Sequence, residues 1–213
     1  MRPAATPPAR DTYRHGDLRR ALIEAGIALA RSGGPGAVTL REATRRTGVA
    51  PNAAYHHFRS QQDLLHAVRS AALSALAVAM EQELSIIGAD LPPAAFAKAS
   101  LRAVGTGYLR FAFTEPGLFR TAFGTGPQPD RTSSIEQAGS SGLTPFQLLS
   151  QALDRMEATN VLPTQRRAGT EYLAWSAVHG LAMLVIDGPL RTMDDERIEA
   201  TVPRLLAMVE RGI

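Results

Sequence analysis

The sequence predicts an all-α protein of about nine helices. Apolar residues recur every three or four positions along most of the chain, which is the spacing of helices that bury one face. Proline and glycine divide these stretches into helix-sized segments, and two Ser/Thr-x-x-acid motifs mark helix starts. No segment shows the strict apolar–polar alternation of a half-buried strand. The apolar content of 45% is enough for a buried core.

The helices can be placed in order from these signals. A Pro- and Ala-rich stretch, 1–13, is predicted to be a disordered tail, and 124–142 a flexible loop. The first helix is followed by Gly33-Gly-Pro-Gly36, which breaks the chain. The predicted helices are Asp17 to Ser32, two short helices on either side of Gly48, Gln61 to about Ile87, Pro92 to about Thr114, a short helix opened by Glu115-Pro116, and 144–159, 164–187 and 194–211.

Residues 39–63 predict a helix-turn-helix. The segment 39–42 (TLRE) is a capping box that starts one helix, and Gly48 can adopt the left-handed conformation needed to end it. Pro51 suits the first turn of the next helix, and 60–63 (SQQD) is a second capping box. Two short helices joined by a tight turn form the motif whose second helix enters the DNA major groove. Double-stranded DNA is therefore the predicted partner.

Charge is distributed unevenly along the chain. Residues 1–70 contain eleven arginines and five acids, a net charge of +6, whereas the remainder carries −3. A basic N-terminal region on a mildly acidic body favours attraction to a phosphate backbone.

Composition argues against several other classes. The chain has no cysteine, which excludes disulfides, thiolate zinc sites and cysteine nucleophiles. It has neither a run of 18 apolar residues nor an N-terminal apolar segment of the signal-peptide kind, so we expect a cytoplasmic protein without a membrane partner. The glycines at 33–36 lack the Gly-Lys-Ser/Thr ending of a phosphate loop. We expect no cofactor, no metal site and no catalytic residue.

The second short helix must bury one side and expose the other. Val49, Ala54 and Phe58 have the apolar pattern of the buried side. On the exposed side, Asn52 has the amide that pairs with adenine, and Tyr55 has a hydroxyl suited to a phosphate oxygen. The predicted DNA-binding residues are Thr39, Arg41, Pro51, Asn52, Ala53, Tyr55, His56 and Gln61.

Structural alternatives exist for some of these residues. Tyr55 could instead belong to the core, and His57 is better explained by packing and hydrogen bonding than by DNA contact. The arginines at 41, 45 and 46 could contact phosphates or form a solvated helix face.

The N-terminal region resembles the TetR family of bacterial transcriptional regulators. The resemblance covers about residues 14–68 and is carried by 39–43 (TLREA), Gly48-Val49, 55–58 (YHHF) and Ser60 with 63–65 (DLL). It implies a homodimer with a DNA-binding domain at 14–60 and an effector-binding and dimerisation domain at 61–213. Where the family often has a phosphate-contacting lysine, this chain has Gln61, so that contact loses its charge.

The C-terminal part is similar to the WHG-type domain of one branch of these regulators. The similarity is carried by 175–180 (WSAVHG) together with 107–123. The family resemblance implies that the last two long helices, 164–187 and 194–211, form a four-helix bundle with those of a second subunit. The operator is then expected to be a palindrome or pseudo-palindrome.

Aromatic residues in the body suggest an effector pocket between helices, because apolar clefts in helical proteins are common ligand sites. The scarcity of charge among them favours an apolar or aromatic ligand, although ordinary core packing is the alternative for each residue. The predicted ligand-binding residues are Phe96, Tyr108, Phe111, Phe119, Phe123, Trp175, His179 and Met183.

The family resemblance further implies a repressor, and we expect an effector to release it from its operator with the helix at 61–87 as the lever. Two alternatives remain. A dimeric DNA-binding regulator without a small-molecule effector would be modulated by a protein partner. An enzyme would pair His179 with Asp187 or Glu171, but the sequence lacks a G-x-S-x-G elbow and any metal-spaced cluster.

Overall fold

The computed structural model describes residues 15–124 and 135–213. Within these residues it contains ten α-helices, two short 3-10 turns and no strand, which confirms the all-α prediction. Two of the ten helices are shorter than seven residues. The helices are α1 (His15–Gly33), α2 (Leu40–Thr47), α3 (Pro51–Tyr55), α4 (Gln61–Ser85), α5 (Pro93–Thr114), α6 (Pro116–Phe123), α7 (Pro145–Ala158), α8 (Thr164–Arg167), α9 (Thr170–Ile186) and α10 (Asp195–Gly212).

Helix α4 is the central helix of the fold. It packs against α1, α5, α6 and α7, and its inward side chains Leu64, Val68, Leu76 and Met80 are fully buried. By length and composition alone α4 is apolar enough to cross a membrane, but 44% of its most apolar window is buried inside the protein. Its apolar character is explained by this central position.

The helix starts around the helix-turn-helix are confirmed, with one difference. At α4 the cap is reciprocal, because Ser60 Oγ accepts from the Asp63 N–H and Asp63 Oδ2 accepts from the Ser60 N–H, both at 3.1 Å. At α2 only Thr39 acts as a cap, accepting from the Glu42 N–H at 3.2 Å. The Glu42 carboxylate instead pairs with Arg45 at 2.9 Å.

The helix predicted over 164–187 is wrong as a single element. It is broken between α8 and α9, where Gly169 has φ 77° and Ala168 is extended. Arg167 at the end of α8 holds the break in place, since its Nη1 bonds Glu171 at 2.7 Å and its Nη2 bonds Ser150 Oγ of α7 at 2.9 Å. The break accounts for ten helices where about nine were expected.

The last part of the loop predicted over 124–142 contains a 3-10 turn and contacts with α4. Residues 125–134 lie outside the described residues. Beyond them, Ile135–Gln137 forms a 3-10 turn, and the segment that follows is bonded to α4. Ser74 Oγ donates to the Ala138 carbonyl at 2.7 Å, and the Glu81 carboxylate accepts from the backbone N–H groups of Ser140 and Ser141. The segment 135–142 is therefore tied to α4 by hydrogen bonds, whereas the sequence predicted only a loop there.

Helix α6 connects the body of the protein to α1. The first turn of α6 lies so close to the end of α1 that a Cβ on Gly117 would be 2.3 Å from the Ala30 carbonyl oxygen. Beside this contact, Arg31 forms an ion pair with Glu115 at 3.1 Å. The N-terminal helices therefore meet the body at α6 as well as through α4.

Candidate DNA-binding surface and effector cavity

The turn between α2 and α3 has the predicted geometry. Gly48 is left-handed, with φ 70°, and the Val49 N–H donates to the Thr44 carbonyl at 3.2 Å. Pro51 occupies the first turn of α3, where its missing N–H costs no hydrogen bond. Ala54 and Phe58 are buried, and this fixes which side of α3 faces outward.

The outward side of α3 carries most of the predicted DNA-binding residues. Tyr55 is 56% exposed, which excludes it from the monomer core. Pro51, Asn52 and His56 are also exposed, whereas Ala53 is partly buried against the core. Among the remaining predicted residues, Arg41 and Gln61 are exposed, and Thr39 is partly buried with its oxygen used by the α2 cap. The prediction for all eight residues stays a prediction.

Basic side chains surround this face. Arg45 is paired with Glu42, and that hydrogen bond lowers the pKa of the Glu42 carboxyl. Arg41, Arg46 and Arg59 are exposed and have no carboxylate within ion-pair distance among the described residues. These three guanidinium groups are available to phosphate oxygens.

A cavity of about 100 Å³ lies in the body. It is bounded by α4, α5, α6, α7, α9 and α10 and by the 3-10 turn, and its walls are predominantly apolar. The lining residues are Arg69, Leu73, Met80, Leu101, Arg102, Val104, Gly105, Tyr108, Ala122, Phe123, Gln137, Thr144, Pro145, Phe146, Leu149, Ala174, Trp175, Val178, Leu206 and Val209.

Three of the eight predicted ligand-binding residues line the cavity: Tyr108, Phe123 and Trp175. Two more lie behind this wall. The Phe119 ring is 4.9 Å from the Phe123 ring, and the His179 ring is 5.0 Å from it, measured between centroids.

The other three predicted ligand-binding residues are away from the cavity wall. Phe111 is buried in the helical core, Met183 is 36% exposed on α9, and the Phe96 ring lies 5.9 Å from the Arg155 guanidinium. Aromatic or apolar character alone could not separate these three positions from cavity positions.

A chain of hydrogen bonds organises the aromatic wall. The Trp175 indole N–H donates to Tyr108 Oη at 3.1 Å, and Tyr108 Oη lies 2.8 Å from His179 Nδ1. Burial raises the pKa of Tyr108 and lowers the pKa of His179, so the phenol keeps its proton and the imidazole is neutral near pH 7. In the tautomer with its proton on Nε2, the imidazole accepts the Tyr108 hydroxyl proton at Nδ1.

Sequence reasoning missed four polar residues of the cavity wall, namely Arg69, Arg102, Gln137 and Thr144. Arg69 is 4% exposed, and its guanidinium donates to the carbonyls of Thr121 and Gly124 at 3.2 Å. Arg69 lies one helical turn from Leu65 and from Leu73, and this spacing could have indicated that it shares their helix face. Gln137 is also 4% exposed, and nothing in its local sequence marks it as buried.

The two candidate catalytic acids, Asp187 and Glu171, form ion pairs with arginines. Asp187 accepts from Arg120 Nε at 2.8 Å, which ties α9 to α6. Glu171 accepts from Arg167 and Ser150; burial opposes its ionisation, but these bonds and its backbone hydrogen bond lower its pKa overall. Neither carboxylate is paired with His179, whose bond is to Tyr108.

Helices α9 and α10 each carry exposed large apolar side chains. Tyr172 and Leu173 near the start of α9 are 62% and 64% exposed, Leu184 near its end is 43% exposed, and Met208 of α10 is 56% exposed. Large apolar side chains clustered on a surface are typical of protein–protein interfaces.

Two family models match the chain. The model for bacterial regulatory proteins of the tetR family matches residues 22–68, and the model for the tetracyclin repressor-like C-terminal domain matches residues 101–209. The second match covers half of the chain and agrees with the WHG-type resemblance of the C-terminal part. Among curated proteins no significant match was found.

Solved structures share the fold. A protein of unknown function from Rhodococcus sp. RHA1 is 24% identical with a TM-score of 0.73, covering 96% of this chain and 99% of its own. A proposed tetR family transcription regulator from Shewanella sp. PV-4 is 15% identical with a TM-score of 0.61, covering 92% and 97%. A TetR variant from Acinetobacter baumannii AYE, in complex with minocycline, is 17% identical with a TM-score of 0.58, covering 91% of each chain.

Both matched domains are those of DNA-binding transcription regulators and not of enzymes. The first extends over the helix-turn-helix, and the second extends over most of the cavity-lining helices. The chain therefore belongs to the TetR family of bacterial transcriptional regulators.

Proposed function

We propose that this regulator is a homodimeric repressor, released from a palindromic operator when a small apolar or aromatic molecule occupies the cavity. The observation that carries the proposal is the position of the cavity. Its walls include α4 and α6, and both helices pack directly against α1 of the DNA-binding region. A ligand that changes the spacing of these walls acts on the same two contacts that orient the DNA-binding helices.

The coupling requires two arrangements of α4 and α6 relative to α1. A ligand shifts their populations only by its difference in affinity for the two arrangements. Phe123 of α6 is a wall residue, while Gly117 of the same short helix abuts the carbonyl end of α1. Movement of Phe123 is therefore transmitted to α1 within two turns of helix, in addition to the lever role of α4.

The exposed apolar side chains of α9 and α10 support a twofold dimer. A second copy is a suitable occupant, because a twofold interface lets the same exposed apolar residues meet their counterparts. Two recognition helices would then lie one DNA turn or more apart, at about 34–36 Å per turn, which matches a palindromic operator. Three arginines of the helix-turn-helix region, Arg41, Arg46 and Arg59, have no ion-pair partner in the described part of the chain and would strengthen attraction to the phosphates.

The experiment begins with DNA fragments selected by the purified full chain and then measures operator affinity while small aromatic compounds are added. We expect compounds that raise the melting temperature of the protein to weaken operator binding. Val178→Phe fills the cavity wall and should reduce this release while leaving operator binding intact. Ile86→Phe is the matched control, because Ile86 is 72% exposed and does not line the cavity.

The outcomes separate the alternatives. Compounds that bind without altering operator affinity would contradict ligand release. If no compound shifts the melting temperature, the regulator without a small-molecule effector is favoured. Equal release in Val178→Phe and Ile86→Phe would show that the effector binds elsewhere.

A further inference from the structure

Gln137, in the wall of the effector cavity, has a buried amide donor without a partner among the described residues. Its side chain is 4% exposed and forms part of the cavity wall. The amide Nε2 is buried and has no hydrogen-bond partner among the residues that the structure describes. Buried polar atoms in proteins are almost always bonded, so an exception at a cavity wall indicates a partner that enters from the cavity.

The position of this amide is set by the backbone around it. The 3-10 turn Ile135–Gln137 packs against α4, and Ser74 Oγ bonds the carbonyl of the next residue, Ala138, at 2.7 Å. Three residues after Gln137, the Ser140 N–H donates to the Glu81 carboxylate at 2.8 Å. The turn is therefore held to α4, and Gln137 is presented from a fixed site.

The rest of the wall determines what kind of partner can enter. Most lining side chains are aliphatic or aromatic, including Leu73, Val104 and Phe123. Arg69 adds a buried positive charge, since its guanidinium is held by the carbonyls of Thr121 and Gly124, and this charge favours oxygen acceptors over donors. A ligand that satisfies this wall has an apolar body and at least one accepting oxygen.

We propose that Gln137 binds the carbonyl oxygen of the effector, which makes apolar or aromatic carbonyl compounds the ligand class of this regulator. The inference rests on the proposed function, because it assigns chemistry to the same cavity. It covers both neutral carbonyls and carboxylates, since both present an oxygen acceptor to Nε2.

The test uses three probes of similar size with the full chain in isothermal titration calorimetry. Acetophenone and ethylbenzene differ by one carbonyl in place of a methylene, and benzoate carries a carboxylate. The measured quantity is the affinity for acetophenone divided by the affinity for ethylbenzene. Taking this ratio in each protein cancels the difference in hydration between the two probes.

We expect the ratio to be about tenfold higher in the wild type than in Gln137→Leu, the upper range for one neutral hydrogen bond. Gln82→Leu is the matched control, because Gln82 is exposed on α4 and does not line the cavity; it should keep the wild-type ratio. Gln137→Met is a second variant that also lacks the donor and should behave like Gln137→Leu. If benzoate binds the wild type more tightly than acetophenone does, and this difference is lost in the same two variants, the carboxylate is the preferred member of the class.

Two results would overturn the inference, and they are distinguishable. If the probes bind but the ratio is unchanged in Gln137→Leu and Gln137→Met, the cavity stands and the role of Gln137 is wrong. If none of the probes binds to the wild type, the inference fails and so does the aromatic effector of the proposed function.

Discussion

Replacing Gly117 by alanine puts a methyl group against the carbonyl end of α1. The added Cβ would lie 2.3 Å from the Ala30 oxygen and 2.5 Å from the Arg31 oxygen, and both are backbone atoms that cannot rotate away. Ordinary contact requires about 3.5 Å, so α6 and α1 would have to separate by about 1 Å. That displacement would loosen the packing of the residues between the two helices.

The expected cost follows from the kind of contact. Forced overpacking of a buried site costs about 1–3 kcal/mol. The neighbouring Arg31–Glu115 ion pair cannot compensate, because Arg31 is 55% exposed and pairs of this kind contribute about 1 kcal/mol or less. For a chain of this size the loss corresponds to a fall in Tm of about 2–12 °C.

The assay is thermal unfolding followed by circular dichroism at one fixed protein concentration, since the proposed dimerisation would make Tm concentration-dependent. Gly36→Ala is the control, because a Cβ at Gly36 meets nothing within 4 Å. A Gly117→Ala protein as stable as Gly36→Ala would refute the close approach of α6 to α1. Operator affinity measured on the same two proteins then tests whether the α6 contact orients the DNA-binding helices.

Three further predictions concern the DNA face, the subunit interface and the aromatic wall. Asn52→Ala should relax base preference at one operator position by about 1–3 kcal/mol, whereas Tyr55→Phe should weaken binding to operator and random DNA alike; equal effects of both changes in electrophoretic titrations would contradict this assignment. Leu173→Glu should shift the protein from dimer to monomer in sedimentation, because it places charge on the 64% exposed position of α9, while Ile86→Glu should not; a dimeric Leu173→Glu protein would place the interface elsewhere. Burial lowers the pKa of His179 below 6.5 in the folded protein. As the pH falls, the imidazole is therefore protonated in the unfolded chain before it is protonated in the folded one. The free energy of unfolding is then highest above pH 6.5 and declines as the pH falls toward the folded-state pKa. Melting temperatures measured from about pH 7.5 to about 5.5 should therefore fall more in the wild type than in His179→Gln, and parallel curves would exclude His179 as the titrating group.

Local signals in the sequence determined the helices and the DNA-binding motif. The Ser60 cap, the Gly48 turn and the Pro51 helix start act within a few residues, and the structure forms each of them. Short-range hydrogen bonds and backbone preferences are encoded where they act, which is why these predictions succeeded. The separation of buried Ala54 from exposed Tyr55 follows from helical periodicity in the same way.

Where a side chain had more than one possible hydrogen-bond partner, only the tertiary structure determined which bond forms. Glu42 had two possible bonds, to the Thr39 backbone or to Arg45, and the pair with Arg45 is the one formed. The break before Gly169 depends on Arg167 reaching across to Ser150 of another helix. Neither choice is visible in the local sequence, because each depends on the direction of a side chain after packing.

The cavity is the clearest case of tertiary control. The sequence by itself identified aromatic residues in the correct helices, and Tyr108, Phe123 and Trp175 do line the cavity. It could not separate them from Phe111 and Met183, because apolar side chains serve equally in a core, on an interface or around a ligand. It also missed Gln137, whose burial depends on Ser74 and Glu81 bonding a segment more than fifty residues away. Local chemistry thus determined the helices and the outward side of α3, while long-range packing decided which side chains enclose the cavity and how α6 joins it to α1.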